Sequence, residues 1–128
     1  VRLVQAGAWC EDTMLRFSDQ AGRQSRVAAK GRETQMRALD SVLDGRPCTF
    51  LKMDVEGAER EAIAGAEQTI RQHRPKLNIA AYHRSEDFFQ LPLLIHTLCP
   101  DYRLYLRHHP YVPAWDTNLY AVVNNAGN

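Results

Sequence analysis

The run at residues 48–55 (CTFLKMDV) constrains this chain more than any other feature. It is short and apolar, with turn chemistry before it at Asp44-Gly45-Arg46-Pro47 and Glu56-Gly57 after it. Such a run predicts a strand buried on both faces. Helical spacing follows at once. Ala58, Ala62, Ala66 and Ile70 recur every four residues beside Ile63, so residues 57–73 are expected to form one helix. Glu56 and Glu59 stand in its first turn, with Arg71, His73 and Arg74 in its last, as the helix dipole favours; Pro75 ends it. The alanines on the buried stripe let this helix lie close against a sheet.

The alternation continues downstream. Residues 76–82 (KLNIAAY) read as a strand, and Ser85 is expected to cap a second helix. Phe88, Leu91, Leu94, Ile95 and Leu98 form its apolar face, and Pro92 predicts a late start or a kink. Residues 102–107 and 118–123 read as strands. The proline- and aromatic-rich loop at 108–116 joins them without a helix, which allows an antiparallel ending. Before residue 46 the grammar differs: short strands are expected at 1–6, 13–17, 27–29 and 34–39, with a turn or loose loop at 18–26. The expectation is one α/β domain with parallel strands at 46–123, a β-rich front segment at 1–45 and a disordered tail at 124–128. The first residue is Val1, not an initiator methionine, so a piece of a longer protein is expected.

Composition removes several classes of function. Sixteen basic and fifteen acidic residues leave a net charge of +1, which predicts neither a nucleic-acid partner nor an anionic membrane surface. Apolar stretches such as 91–98 are far too short to span a bilayer, and no secretory leader is visible. Cys10, Cys48 and Cys99 lie far apart and form no CxxC pair, so reduced thiols and a cytoplasmic setting are expected.

The chemistry gathers at strand ends. Asp54 is delivered to the carboxyl edge of its strand, where an open α/β sheet exposes a crevice, and Gly57 permits close approach by backbone or ligand. A plainer duty for Asp54 and Glu56 is to cap the helix. His83 ends the next strand, which predicts Asp54 and His83 on one rim as an acid–base pair or as two metal ligands. A histidine that only hydrogen-bonds a loop carbonyl is the alternative. No HExxH or similar cluster exists, so no metal is assigned. At most one of His108 and His109 faces a crevice, and Tyr111 and Trp115 could line an aromatic wall. His73 and His96 read as structural, and nothing marks Cys10 as a nucleophile. The seven glycines form neither GxGxxG nor GxxxxGK[ST].

Residues 49–83 and 102–123 resemble the FkbM-type S-adenosyl-L-methionine-dependent methyltransferases. The resemblance is carried by Lys52-Met53-Asp54-Val55-Glu56-Gly57-Ala58-Glu59, then Gly65-Ala66-Glu67 and Pro75-Lys76-Leu77. Residues 102–109 and Asn118-Leu119-Tyr120-Ala121 look like that family's carboxyl end, and residues 36–43 like its linker. The resemblance implies an incomplete Rossmann-like sheet. Its first two strands and their helices, which carry the glycine-rich loop and the ribose-gripping acid, are absent; residues 1–6, 49–55 and 76–82 would be strands three to five.

By the same resemblance, the reaction is methyl transfer to a hydroxyl of a sugar or natural product, with this chain alone inactive. Asp54 would lie beside the methyl donor, with Glu56 and Gly57 as further cofactor contacts. His83 would orient or deprotonate the acceptor, a small molecule that His108 and Trp115 would contact. Related oxygen methyltransferases can hold a divalent metal at the ends of strands four and five. Asp54 and His83 match those places, although histidine suits magnesium poorly. The bare side of the 49–53 strand predicts a homo-oligomer. Two other classes stay open: an inactive methyltransferase-like scaffold, and a metal-dependent hydrolase using Asp54, His83 and His108, with Asp116 as a further acid.

Overall fold

Alternating apolar residues decide which way each strand of the second half faces. The computed structural model describes residues 1–17, 31–109 and 117–123. Strands β1 (Gly7–Ala8), β2 (Thr13–Phe17) and β3 (Arg32–Arg37) come first. Helix α1 (Leu39–Leu43) leads to β4 (Phe50–Met53), α2 (Glu59–Ala64) and α3 (Glu67–His73). Strand β5 (Lys76–Ala80), helix α4 (Asp87–Leu98) and strands β6 (Tyr102–His108) and β7 (Thr117–Val123) complete the order.

The second half forms a four-stranded mixed sheet in the order β4-β5-β7-β6. Strands β4 and β5 are parallel, whereas β7 runs antiparallel to both β5 and β6. Register aligns Leu51 with Leu77, Ala121 and Leu104, and Met53 with Ile79 and Leu119. That face is covered by Ala62, Ile63, Ile70, Leu91, Ile95 and Leu98 from α2, α3 and α4, and by Ala66 between α2 and α3. Each fully buried isoleucine or leucine contributes about 1.5–3 kcal/mol, so this layer holds the helices in place far more than their short lengths would.

Strand β4 corrects one expectation. It is not buried on both faces: Phe50 is 56% exposed and Lys52 is exposed, while Met53 is buried. As the edge strand it meets helices on one side alone among the described residues.

The predicted single helix at 57–73 is two helices. The buried stripe runs unbroken through Ala62, Ala66 and Ile70, but the backbone turns at Gly65. A Cβ at Gly65 would lie 1.9 Å from the Trp9 carbonyl oxygen, so the front segment presses directly on the junction. Asp40 then starts the second helix from outside it. Its carboxylate accepts from the Gln68 and Thr69 amides, both at 2.9 Å, and from the Thr69 hydroxyl at 2.7 Å, satisfying otherwise orphaned donors.

Ser85 does not cap α4. Glu86 is the capping residue and makes no side-chain cap, and the Ser85 hydroxyl reaches only Glu86 at 3.5 Å. The helix runs through Pro92, with Leu91, Ile95 and Leu98 buried as expected.

In the front segment β2 and β3 pair antiparallel and β1 joins β3 in parallel, giving a separate three-stranded sheet β1-β3-β2. Residues 1–6 are not a strand; Val1, Leu3 and Val4 are exposed and pair with no described strand. Within this stretch the Ala6 amide donates to the Val4 carbonyl at 3.1 Å, a local turn instead of a ladder. The expected features at 18–26, 27–29 and 124–128, and the residues Tyr111, Trp115 and Asp116, lie outside the described residues. Among those described, no helix is long and apolar enough to cross a membrane.

Candidate functional site

Strand β4 ends at Met53, beside Ile79 of β5, so the residues that follow both strands emerge on one rim. From β4 come Asp54, Val55, Glu56 and Gly57; from β5 come Ala81, Tyr82 and His83. The turn after β4 is unusual. Glu56 at φ 54° and Gly57 at φ 94° both adopt left-handed backbone, which costs little for glycine and about 1 kcal/mol or more for glutamate. What comes close to Gly57 is Arg84: a Cβ there would meet Arg84 Nε at 3.3 Å and His83 Cβ at 3.7 Å.

His83 is the hub of this rim. Its side chain is 11% exposed, and its two ring nitrogens have different neighbours. Nδ1 lies 2.8 Å from Glu59 Oε1, the same oxygen that accepts the Val55 amide at 3.1 Å. Glu59 is the first residue of α2 and is 1% exposed. Nε2 faces Asp54 Oδ1 at 3.5 Å and Glu56 Oε2 at 3.6 Å. An anionic Glu59 accepts, so Nδ1 carries the proton in this pairing and Nε2 turns toward the two exposed carboxylates.

Two neighbours complete the cluster. The Tyr82 hydroxyl donates to Asp54, 3.2 Å from Oδ1 and 3.3 Å from Oδ2, and its ring tilts over His83 with centroids 4.3 Å apart. Asp87, at the start of α4, is 1% exposed. Burial raises its pKa, the Glu59 charge raises it further, and Arg84 and Arg60 act in the opposite sense. Glu59 Oε2 and Asp87 Oδ2 are both buried without a hydrogen-bond partner. Asp54, Glu59 and His83 each bring one potential ligand atom within 4.8 Å of the others.

The structure thus places Asp54, Glu56 and His83 together and Gly57 in the turn between them. His108 ends up elsewhere. It sits at the end of β6, two strands from β5 and so about 10 Å away along the rim. There its Nδ1 lies 2.9 Å from the Thr117 hydroxyl. The metal-hydrolase arrangement, which needs His108 beside Asp54 and His83, is not assembled. His109 pairs with the Tyr120 hydroxyl at 3.1 Å. Cys10, Cys48 and Cys99 are free thiols.

Tyr82, Glu59 as the partner of His83, and Asp87 were not singled out from sequence for these roles. An aromatic residue directly before a strand-end histidine was the available signal for Tyr82. A separate cleft of about 550 Å³ lies between the front segment and the α2–α3 junction, lined in part by Cys10, Asp12, Asp40, Gly65 and Arg71. Three of its acids are engaged: Asp12 accepts the Ala38 amide and pairs with Arg37, Asp40 caps α3, and Glu67 pairs with Arg71.

Comparison with known proteins converges on one family. Residues 6–113 match the family described as Methyltransferase FkbM domain. Among solved structures, the chain is similar to the crystal structure of Methyltransferase FkbM from Methylobacillus flagellatus KT. The TM-score is 0.71 and the identity 37%, over 91% of this chain and 27% of that one. The chain therefore spans about a quarter of that relative's length. A search of curated proteins gave no significant match.

Proposed function

The chain belongs to the FkbM methyltransferase family, and on that premise we propose that it forms part of an enzyme transferring a methyl group from S-adenosyl-L-methionine to a hydroxyl of a small sugar-like or natural-product acceptor. The observation that carries this reading is the rim built by Asp54, Glu56, Glu59 and His83 within the matched region. Bound S-adenosyl-L-methionine supplies an electrophilic methyl on a cationic sulfonium. The rim suits such a group electrically, because Asp54 and Glu56 present half-exposed and exposed carboxylates at the end of β4.

Each residue has a task that follows from its contacts. Glu59 holds His83 through Nδ1 and fixes which nitrogen faces outward. His83 Nε2 then orients the acceptor hydroxyl or takes its proton. Asp54, steadied by Tyr82, stands beside the donor. In-line attack asks the protein mainly for this positioning. Gly57 and Glu56 shape the turn that brings the carboxylates to the ring. His108, at the same edge of the sheet, and Trp115 are assigned to the acceptor.

The remaining contacts to the donor's ribose and carboxylate are assigned to a longer enzyme outside this chain, which spans 27% of the relative's length. The chain by itself is therefore proposed to bind the donor only negligibly. A cytoplasmic setting rests on the free thiols, and self-association on the edge of β4 that no described strand covers. The test is transfer of isotope-labelled methyl from S-adenosyl-L-methionine to a panel of hydroxylated sugars by the full-length protein carrying this chain. Label incorporated into an acceptor supports the reading, and a protein that binds the donor yet labels none of a broad panel supports the inactive scaffold instead.

A further inference from the structure

We infer that the face of the four-stranded sheet turned away from α2, α3 and α4 docks an anionic saccharide, an acceptor bearing carboxylate or phosphate groups, and presents its hydroxyl to the rim. The inference rests on the methyl-transfer reading and names the acceptor's chemistry. Strands β4, β5, β6 and β7 contain no aspartate or glutamate, and their four lysines and arginines are Lys52, Lys76, Arg103 and Arg107. Side chains alternate along a strand, and Leu51, Leu77, Leu104 and Ala121 occupy the face that meets the helices. All four cations therefore stand on the opposite face, and all four are exposed. Lys52, Lys76 and Arg107 form no ion pair with a described acid.

Aromatic rings interleave with these charges. Register sets Lys52, Asn78, Tyr120 and Tyr105 in one row across all four strands, and Phe50 beside Lys76 in another. Phe50 and Tyr105 are 56% and 42% exposed. Three interstrand spacings make the row about 14 Å long, room for more than one sugar ring. Tyrosine offers such a ring a flat apolar body and a polar tip together.

Charge and polarity choose among occupants. A helix beds on aliphatic rows such as Leu51, Leu77, Ala121 and Leu104 on the other face, and the Lys52–Tyr105 row has none. A second copy laid face to face would bring like charges together. Single-stranded nucleic acid carries a charge on every unit and would meet the Asp54 and Glu56 carboxylates where the face ends. A saccharide with sparser charges fits, because its anionic groups take the lysine and arginine heads while its rings lie on the aromatics. The face also opens onto the rim. Lys52 lies two residues before Asp54, and Arg107 directly precedes His108. The rim carboxylates repel the acceptor's anionic groups, so those groups settle over the strands and an uncharged hydroxyl reaches His83 Nε2.

The test is calorimetric binding to the full-length protein carrying this chain, without donor. Its failure leaves methyl transfer to an uncharged acceptor standing, and binding without any transfer refutes the methyl-transfer reading alone. The probes are an oligogalacturonate, a phosphorylated malto-oligosaccharide, a neutral malto-oligosaccharide of the same length and single-stranded oligothymidylate. At least one anionic saccharide is expected to bind about tenfold or more tighter than the neutral one, with affinity that falls as salt is added. Whichever of the two binds more tightly identifies the charged group. The Lys52→Gln/Arg107→Gln double variant is expected to lose about tenfold or more of that affinity, and Tyr105→Ala to weaken it, with Arg32→Gln in the front sheet unchanged. These are exposed side chains, so the variants report on binding and not on folding. Equal binding of the neutral saccharide, oligothymidylate binding as tightly as either anionic saccharide, or a double variant that matches the parent would each overturn the proposal.

Discussion

Glu59 Oε1 lies 2.8 Å from His83 Nδ1 across 24 residues of sequence, and this contact ties the first turn of α2 to the end of β5. The same oxygen accepts the Val55 amide, so one buried carboxylate orders both the turn after β4 and the imidazole. Replacing it with alanine removes two accepted hydrogen bonds and leaves their part-buried donors unpaired. The Glu59→Ala chain is expected to lose about 3 kcal/mol of stability in urea unfolding. A loss below about 0.5 kcal/mol, the level of an ordinary surface change, would mean that Glu59 does not anchor the rim.

Asp87 gives a pH dependence of defined sign. Burial, then the Glu59 charge, raise its folded pKa above the ordinary 3.8, so the native state binds its proton more tightly than the unfolded chain does. Stability from this group is complete below 3.8 and is lost as pH rises through the raised folded value. Asp87→Asn, which stays neutral, is therefore expected to be more stable than the parent chain at neutral pH and to match it in acid. Urea midpoints measured across that range check the sign; a neutral-pH loss would reverse it.

Gly65 is the point where the front segment meets the helices. Its missing Cβ would fall 1.9 Å from a backbone oxygen of Trp9 and 3.2 Å from Ala38 Cα. Backbone on that side cannot swing away as a flexible side chain would. Gly65→Ala is expected to cost at least about 2 kcal/mol and to loosen the contact around Trp9. Faster hydrogen exchange of the Trp9 amide, which donates to the Arg37 carbonyl at 3.0 Å, reads that loosening directly.

The shared rim of Asp54 and His83 is legible in the sequence, because strand–helix–strand alternation brings successive parallel strand ends together. The Glu59–His83 contact is not. An acid in the first turn of a helix already satisfies the dipole, and nothing local says that it also reaches a histidine 24 residues on. The break at Gly65 was hidden for a similar reason: Ala62, Ala66 and Ile70 keep helical spacing straight through it. At the break the partners are distant in sequence: the Trp9 carbonyl presses on Gly65, and Asp40 donates its amide to the Gly65 carbonyl at 2.8 Å and accepts from the Thr69 amide. The apolar run at 48–55 implies double burial that β4 does not have, since local composition does not distinguish an edge strand from a central one when Phe50 faces outward.

That edge has its own consequence. Strand β4 pairs with β5 on one side, and the front strands form a separate sheet instead of covering the other. Among the described residues no strand pairs with the outward-facing backbone of Phe50 and Lys52, where the Phe50 carbonyl meets Cys48 Sγ at 3.4 Å, and such an edge is a template for a second copy. Sedimentation of the 128-residue chain at low micromolar concentration is expected to show a dimer. A monomer whose Phe50 and Lys52 amides, which point away from β5, resist exchange would show the edge to be closed within one chain.

The central claim is that His83, set by Glu59 and facing Asp54, serves methyl transfer. The most direct measurement is the single-turnover rate of labelled methyl transfer by the full-length protein, compared between His83→Ala, Asp54→Asn and His96→Ala. The account predicts losses of about a hundredfold or more for the first two and a rate within about twofold of the parent for the third. A His83→Ala protein that transfers methyl at the parent rate would leave the histidine a packing residue and contradict the account.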